Sequence, residues 1–303
     1  MSENIDHKND IFDRSALQLQ RKRAASNFAA HDFLFREVAE RLADRLTEVK
    51  RRFDLAIDIG ARSHHLKDFL SRNLSVNNIM MLGLTREPYG SELVGSEEVL
   101  PIKGSCADLI VSNLVLHWTN DLLGTLIQCR KSLKPDGLFL AAMFGGNTLI
   151  ELREVMFEVE NKISTGVWPR VSPFVQLSDG AALLQRSGYN LPVADTDTIT
   201  VTYSDVFSLM HDLRGMGETN ATLQRIRSFS KREIFVQVAD RYQELYGDNN
   251  GRIKATFQII YLTGWAPGSS QPRPLRPGSA SHRLADALDT EEESAGDPVK
   301  PKV

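Results

Sequence analysis

The feature that most constrains the fold is an alternation of short apolar segments with amphipathic ones across the first half of the chain. The apolar segments are Leu55–Ile59, Ile79–Leu84, Asp108–Leu114 and Leu138–Phe144. Near-continuous apolar strands separated by helices are typical of a parallel sheet that is covered on both faces. The sequence therefore predicts a doubly wound α/β domain, and the ligand of such a sheet lies beyond the carboxyl ends of the strands.

The segments around this alternation set the expected domain boundaries. Three-to-four spacing of leucine and valine predicts one helix from about Ala16 to Val49. After Gly146 the pattern predicts further helices, a strand at Ile199–Tyr203 and a long strand at Thr256–Trp265. We expect a helical cap over residues 1–53, an α/β domain with a helical insertion over 54–265, and a disordered tail over 266–303. The tail has repeated prolines and no aromatic residue, so it offers little apolar surface to bury.

Two local patterns add to this expectation. Lys134–Gly137 predicts a turn, because proline fixes φ and glycine accepts positive φ. Alternation from Asp195 to Tyr203 predicts a half-exposed strand rather than a pair of catalytic carboxylates.

Composition excludes several classes of protein. Lys and Arg number 36 and Asp and Glu number 39, which gives a net charge of −3 and argues against a nucleic-acid-binding protein. No apolar run approaches the roughly 20 residues of a transmembrane helix, and the polar N-terminus resembles no targeting signal. The two cysteines, Cys106 and Cys129, are too few for a disulfide framework. These observations predict a cytoplasmic protein.

Histidine spacing predicts no metal site. The five histidines between His31 and His211 fall into no metal-binding spacing. The two-histidine, one-carboxylate triad of iron-dependent oxygenases cannot be assigned either.

Candidate functional residues follow the predicted strands. Asp58-Ile59-Gly60 ends the first strand before a helix, where backbone N–H groups bind nucleotide-like ligands. His117 and Trp118 follow the third apolar segment. His117 is either a general base or, with Trp118, a cap on the sheet edge. Gly145-Gly146-Asn147 either shapes a substrate mouth or leads into a helix that Asn147 or Thr148 caps.

Two basic segments also have two interpretations each. Arg62, His64 and His65 either bind an anionic ligand at the helix N-terminus, in place of the glycine contacts, or are solvated residues of an eroded site. Arg21-Lys22-Arg23 is either a solvated helix face, which we favour, or a docking patch for an acidic partner.

An ordered set of motifs carries a resemblance to a known family. The motifs are Asp58-Ile59-Gly60, Val111–Leu122, Leu133–Gly137, Met143–Leu149 with Glu151-Leu152-Arg153, Leu213–Asn220, Ala255–Tyr261 and Gly264-Trp265. The chain thus resembles the class I S-adenosylmethionine (SAM) methyltransferases. Within them it is similar to the complex I assembly factor 5 family and, more distantly, to the malonyl-carrier-protein methyltransferases of biotin synthesis.

The resemblance implies a Rossmann-like seven-stranded sheet and SAM as cofactor. It places Asp58, Gly60, Leu84, Ser96 and Asn113 at cofactor-contact positions. It places His117 at the reaction centre. It also implies that the substrate or partner is contacted by Trp118, Gly145, Gly146 and Asn147. That substrate or partner is a protein or a complex I subunit.

The sequence departs from the family at three cofactor contacts. Arg62 and His64 stand where the family's turn has its next two glycines, Leu84 replaces the acidic residue that binds the ribose, and Ser96 replaces an aspartate near the adenine. Three hypotheses therefore stay open: a SAM-dependent methyltransferase, an arginine hydroxylase acting on a complex I subunit, and a non-catalytic assembly factor with an eroded cofactor site.

Overall fold

The computed structural model describes residues 10–72, 76–85, 90–163, 166–272, 279 and 282–291. In these residues the strands form one seven-stranded sheet in the order β3-β2-β1-β4-β5-β7-β6. The strands are β1 Phe53–Ile59, β2 Val76–Gly83, β3 Leu93–Val94, β4 Ala107–Asn113, β5 Leu133–Phe144, β6 Asn190–Tyr203 and β7 Ile253–Trp265. Strands β1 to β5 pair in parallel and β7 runs antiparallel to both of its neighbours. The predicted doubly wound fold is confirmed.

Helices cover both faces of the sheet. They are α1 Arg14–Ala24, α2 Phe33–Thr47, α3 His65–Ser71, α4 Leu122–Ser132, α5 Ile150–Ile163, α6 Leu177–Arg186, α7 Val206–Gly215 and α8 Arg232–Tyr246. One core cluster joins the sheet to α2, α3, α5, α7 and α8, and a second joins it to α4 and α6. Every residue of β4 is buried, which is why its centre, Leu109–Val111, is continuously apolar rather than alternating.

The expectation of one N-terminal helix to Val49 is wrong. α1 ends at Ala24, a 3₁₀ helix follows over Ala25–Ala30, and α2 starts at Phe33. His31 lies at the break, where its Nδ1 is 2.5 Å from Asp212 Oδ1 of α7. A contact with a residue so distant in sequence is invisible to local periodicity.

The predicted turn at Lys134–Gly137 lies inside β5 as an irregularity. Asp136 has a φ of +62°, and the pairing register between β4 and β5 shifts at this point. The proline and glycine therefore interrupt a strand rather than connect two elements.

The helical insertion lies after β5, with α5 and α6 before β6, and α7 and α8 between β6 and β7. β6 starts at Asn190, earlier than expected, and its side chains alternate in exposure. Asp195 pairs with Arg45, and Asp197 pairs with Arg41. Both carboxylates therefore form structural ion pairs, as the half-exposed strand predicted.

The described residues from Ser270 onward belong to a second unit, and they contain one short helix, α9 Leu284–Leu288. The tail boundary at Ala266 stays a prediction.

We expect truncation after Pro267 to change the melting temperature by no more than a few degrees, because residues 268–303 offer little apolar surface. Ala266, whose backbone bonds to Gly137, is retained. Differential scanning calorimetry of the full-length and truncated proteins measures the two melting temperatures. A large fall in the melting temperature of the truncated protein would show that the tail packs on the domain.

Candidate functional site

A cavity of about 690 Å³ lies at the carboxyl ends of β1 and β2, where the doubly wound fold predicts a ligand. It is lined by Ser15, Gln18, Leu19, Arg21, Lys22, Ala25, Ser26, Gly60, Ala61, Arg62, Leu84 and Thr85. We call this cavity the slot. α1 supplies one wall, and the turn after β1 together with the end of β2 supplies the other.

Gly60 is required by the turn that it forms. Its φ is +76°, and a Cβ at this position would lie 2.5 Å from Cγ1 of Val115. The N–H groups of Gly60 and Ala61 both donate to the carbonyl oxygen of Leu82, at 2.8 and 2.9 Å. The N–H groups of both residues are therefore already hydrogen-bonded to β2.

Arg62 is buried beside the slot and is not solvated. Its guanidinium lies 4.9 and 5.0 Å from the ring centroids of Phe28 and Phe35, forms an ion pair with Glu218 and donates to the carbonyl oxygen of Met216. Gly217 makes this approach possible, because a Cβ there would lie 2.9 Å from Arg62 Nη2. The interpretation of Arg62 as a solvated residue is wrong. His64 is exposed and His65 bonds to Asp32.

Glu218 is the centre of a buried polar cluster. Besides Arg62, it accepts hydrogen bonds from Trp118 Nε1 at 2.6 Å and from His117 Nε2 at 3.0 Å. Burial alone raises the pKa of a carboxyl group, but the hydrogen bond from His117 and the positive charges of Arg62 and Arg21 hold the pKa of Glu218 below its ordinary value. Glu218 is therefore an anion at neutral pH.

His117 has no exposed side-chain surface. Burial lowers its pKa despite the hydrogen bond to Glu218, so the imidazole is neutral at pH 7. In this position it orients Glu218. Its role as a general base stays a prediction.

Arg21 corrects the expectation of a solvated basic face. Lys22 and Arg23 are exposed, but Arg21 is 7% exposed and points inward. Its Nη1 lies 3.8 Å from Glu97, a buried carboxylate that Arg14 binds at 2.9 Å. Burial and the nearby charge of Arg62 lower the pKa of Arg21 to about 10, so it remains charged.

The expected cofactor residues do not all meet at the slot. Gly60 and Leu84 line it. Ser96 instead accepts a hydrogen bond from Arg14 at 3.3 Å, and Asn113 donates to the carbonyl oxygen of Phe35 at 2.8 Å. Glu87, the carboxylate nearest to Leu84 in sequence, lies outside the described residues.

Asp58 is buried at the base of the site. Its Oδ1 has no hydrogen-bond partner among the described residues, and burial raises the pKa of the carboxyl group to about 8. A carboxyl group in this state is protonated at neutral pH and does not supply an anionic ligand contact.

This burial predicts an unusual pH dependence of stability. From about pH 4 to pH 8 the folded state keeps a proton on Asp58 that the unfolded state releases. The contribution of Asp58 to the free energy of unfolding is therefore most favourable at low pH, and it is lost as the pH rises through this range. The slope is about 1.4 kcal/mol per pH unit. We expect Asp58→Asn to remove this slope and to be more stable than the natural protein at pH 8. Urea denaturation across the range measures it, with exposed Asp54→Asn as the control. Parallel curves for the natural protein and Asp58→Asn would contradict this prediction.

Two adjoining clefts lie on the other side of the Glu218 cluster. Their volumes are about 770 and 450 Å³, and Met156, Pro169, Arg170, Val171 and Phe174 line both. Trp118 and Glu218 line the smaller one, and Gly146 lines the larger one. We call them together the double cleft.

Gly145 and Gly146 leave room for two glutamine side chains. A Cβ on Gly146 would lie 2.2 Å from Gln176 Nε2, and one on Gly145 would lie 2.8 Å from Gln258 Oε1. The N–H of Asn147 donates to Gln258 Oε1. The hydroxyl of Thr148 donates to the Gln258 carbonyl oxygen and accepts from the Gln258 N–H, so both of these hydrogen bonds join it to β7. The substrate role of Gly145, Gly146 and Asn147 stays a prediction.

Sequence reasoning missed Arg21, Glu97 and Glu218 as members of the site. The signal for Glu218 was its place directly after Gly217 at the end of α7, within a motif to which no role was given. Across the part of the chain that the structure describes, no group of three or more His, Cys, Asp or Glu side chains is placed to hold a metal ion. None of the described helices is long and apolar enough to cross a membrane.

Comparisons with known proteins agree with this geometry. Residues 62–141 match the model of the methyltransferase domain family. The arginine-hydroxylase NDUFAF5, mitochondrial, of Danio rerio is 36% identical over 288 residues, covering 91% of this chain and 89% of that protein. The malonyl-[acyl-carrier protein] O-methyltransferase of Nitrosospira multiformis is 30% identical, covering 87% and 92%.

Among solved structures, the YcgJ protein of Bacillus subtilis has a TM-score of 0.50 at 17% identity and covers 75% of this chain and 97% of its own. Sheet order, the Gly60 turn and the slot define a protein with the class I methyltransferase fold. Within that class, the chain belongs to the NDUFAF5 family.

The residues of the slot do not fit SAM. SAM carries a positive sulfonium and a ribose diol, whereas all the charged side chains among the described lining residues are cations: Arg21, Lys22 and Arg62. Leu84 offers the ribose no acceptor. We therefore derive no chemical step through SAM.

Proposed function

We propose that this chain assists the assembly of a respiratory complex I by binding a segment of one of its subunits, without transferring a methyl group from SAM. Membership of the NDUFAF5 family supports the partner. The location that the sequence predicts for this action, the cytoplasm, stays a prediction.

The observation that carries the proposal is the exposed aromatic surface of the double cleft. Trp168 and Phe157, which line its larger part, are 47% and 59% exposed. Arg153 adds positive charge beside them, whereas Arg170 is paired with the buried Glu160. Exposed aromatic residues around a concave surface mark protein-interaction sites, where aromatic and arginine side chains supply most of the binding energy.

Complementation of a strain that lacks the gene tests this proposal. The double variant Trp168→Ala, Phe157→Ala should fold normally but restore at most about a tenth of membrane NADH:quinone oxidoreductase activity, because aromatic hot spots each contribute about 2 kcal/mol or more. Phe207→Ala is the matched control, since Phe207 is 50% exposed and lies outside all three cavities. Full complementation by the double variant would contradict the proposed use of the double cleft.

We expect SAM to bind with a dissociation constant above about 100 μM, because the loss of a charged hydrogen-bond acceptor for the ribose alone costs roughly ten- to a hundredfold in affinity. Calorimetric titration of the natural protein should be paired with a variant carrying Arg62→Gly, His64→Gly and Leu84→Asp. Glu218→Gln is included in that variant, because Arg62→Gly alone would leave a buried carboxylate unpaired. Micromolar affinity in the natural protein would restore the methyltransferase hypothesis.

A second candidate function is hydroxylation of an arginine side chain on the same partner. The name of the NDUFAF5 relatives favours it. Mass spectrometry of complex I subunits from the deletion and complemented strains tests it. A mass gain of one oxygen atom on an arginine, present only with the gene, is the expected result for this candidate.

A further inference from the structure

We propose that the slot binds a small organic oxyanion, a phosphate or carboxylate compound, through the Arg21 guanidinium. This inference concerns the slot and not the double cleft, so it does not depend on the proposed binding of a complex I segment.

The first reason is the unused hydrogen-bonding capacity of Arg21. Its side chain is buried and lines the slot, and among the described residues neither Nε nor Nη2 has a hydrogen-bond partner. Buried donors are nearly always paired in folded proteins, so two unpaired ones on a single guanidinium need an explanation. Guanidinium groups bind carboxylates and phosphates with two parallel hydrogen bonds, and two adjacent donors suit that geometry.

The second reason is the arrangement of charge around the slot. Glu97 and Glu218, the carboxylates nearest to Arg21 and Arg62, lie behind these cations and do not line the slot. The face that a ligand meets therefore carries Arg21, Lys22 and Arg62 without a carboxylate among the described lining residues. Such a face favours an anion and disfavours a sulfonium cation.

The third reason is the remaining lining of the slot. Leu19, Ala25, Ala61 and Leu84 provide apolar contacts, and Ser15, Gln18, Ser26 and Thr85 place polar groups beside them. At about 690 Å³, the slot falls within the usual range for small-molecule sites, roughly 300–1,000 Å³. A lining of this kind suits an organic body attached to the anion rather than an inorganic ion alone.

Calorimetric titration of the full-length protein tests this inference with four probes: inorganic phosphate, AMP, succinate and SAM. We expect AMP or succinate to bind with a dissociation constant below about 1 mM and more tightly than inorganic phosphate. Preference for AMP identifies a phosphate compound as the ligand class, and preference for succinate identifies a carboxylate. SAM, which also carries a carboxylate, should bind no more tightly than these two.

Variants of α1 locate the site. Arg21→Gln should weaken binding at least tenfold, because it removes a charged donor pair. Arg23→Gln, an exposed position of the same helix, should leave the affinity unchanged. Lys22→Gln should weaken binding less and reduce its salt dependence, and it tests the slot if Arg21→Gln fails to fold. The inference is overturned if no oxyanion binds at millimolar concentration, if Arg21→Gln binds equally well, or if SAM binds at least tenfold more tightly than the oxyanions.

Discussion

Replacing Glu218 with glutamine should lower the free energy of unfolding by about 3–5 kcal/mol, the usual cost of removing one partner of a buried ion pair. Arg62 and Glu218 have side chains that are only 4% and 3% exposed. In the variant, Arg62 keeps its charge in a buried environment without a carboxylate to balance it. The penalty thus comes from the group that remains rather than from the group that was removed.

Urea denaturation with two companion variants identifies the source of that penalty. Glu92→Gln removes a carboxylate that pairs with Lys67 at the surface, and it should cost no more than about 1 kcal/mol. Adding Arg62→Met to Glu218→Gln should recover part of the loss, because the unbalanced cation is then absent. If the double variant is no more stable than Glu218→Gln alone, the unbalanced charge of Arg62 is not the cause of the loss.

The fold was largely predictable because a sheet that is buried on both faces needs strands of mostly apolar residues, and this pattern is visible in the sequence. β1, β4 and β5 appear as apolar runs, and helices such as α4 appear as three-to-four repeats. The break between α1 and α2 has no such pattern in the sequence, and His31 at the break contacts Asp212, which is 181 residues away. Local periodicity cannot predict a contact with a residue that is distant in sequence.

The site was predictable in its position but not in its chemistry. Gly60 and Leu84 do line the slot, because the carboxyl ends of parallel strands define where a ligand can lie. The sequence favours a solvated Arg21 and leaves Arg62 as either solvated or anion-binding, since charged residues are rarely buried. Their burial depends on partners distant in sequence, such as Glu218, which is 156 residues from Arg62. The roles of Asp58, Ser96 and Asn113 in cofactor binding stay predictions.

Trp118 allows a structural and a binding role to be separated by one substitution. The sequence left open whether it lines a ligand mouth or supports the sheet edge. In the structure it is 1% exposed, packs edge-on against Phe12 at 5.2 Å and donates to Glu218 at 2.6 Å. We therefore expect Trp118→Ala to cost about 3–5 kcal/mol, as deletion of a buried tryptophan does.

Trp168→Ala is the matched control for this prediction, because the same side chain is removed from a position that is 47% exposed. A surface substitution of this kind should change the free energy of unfolding by about 0.5 kcal/mol or less. Trp118→Phe separates packing from hydrogen bonding, since it keeps the aromatic contact with Phe12 but removes the donor to Glu218. Its expected cost is about 1.5–3 kcal/mol, the value of a hydrogen bond to a charged group.

A stable Trp118→Ala protein that fails to bind complex I subunits would instead assign Trp118 to the double cleft as a contact residue. The large loss of stability expected here assigns it to the buried cluster that holds Glu218 between the slot and the double cleft.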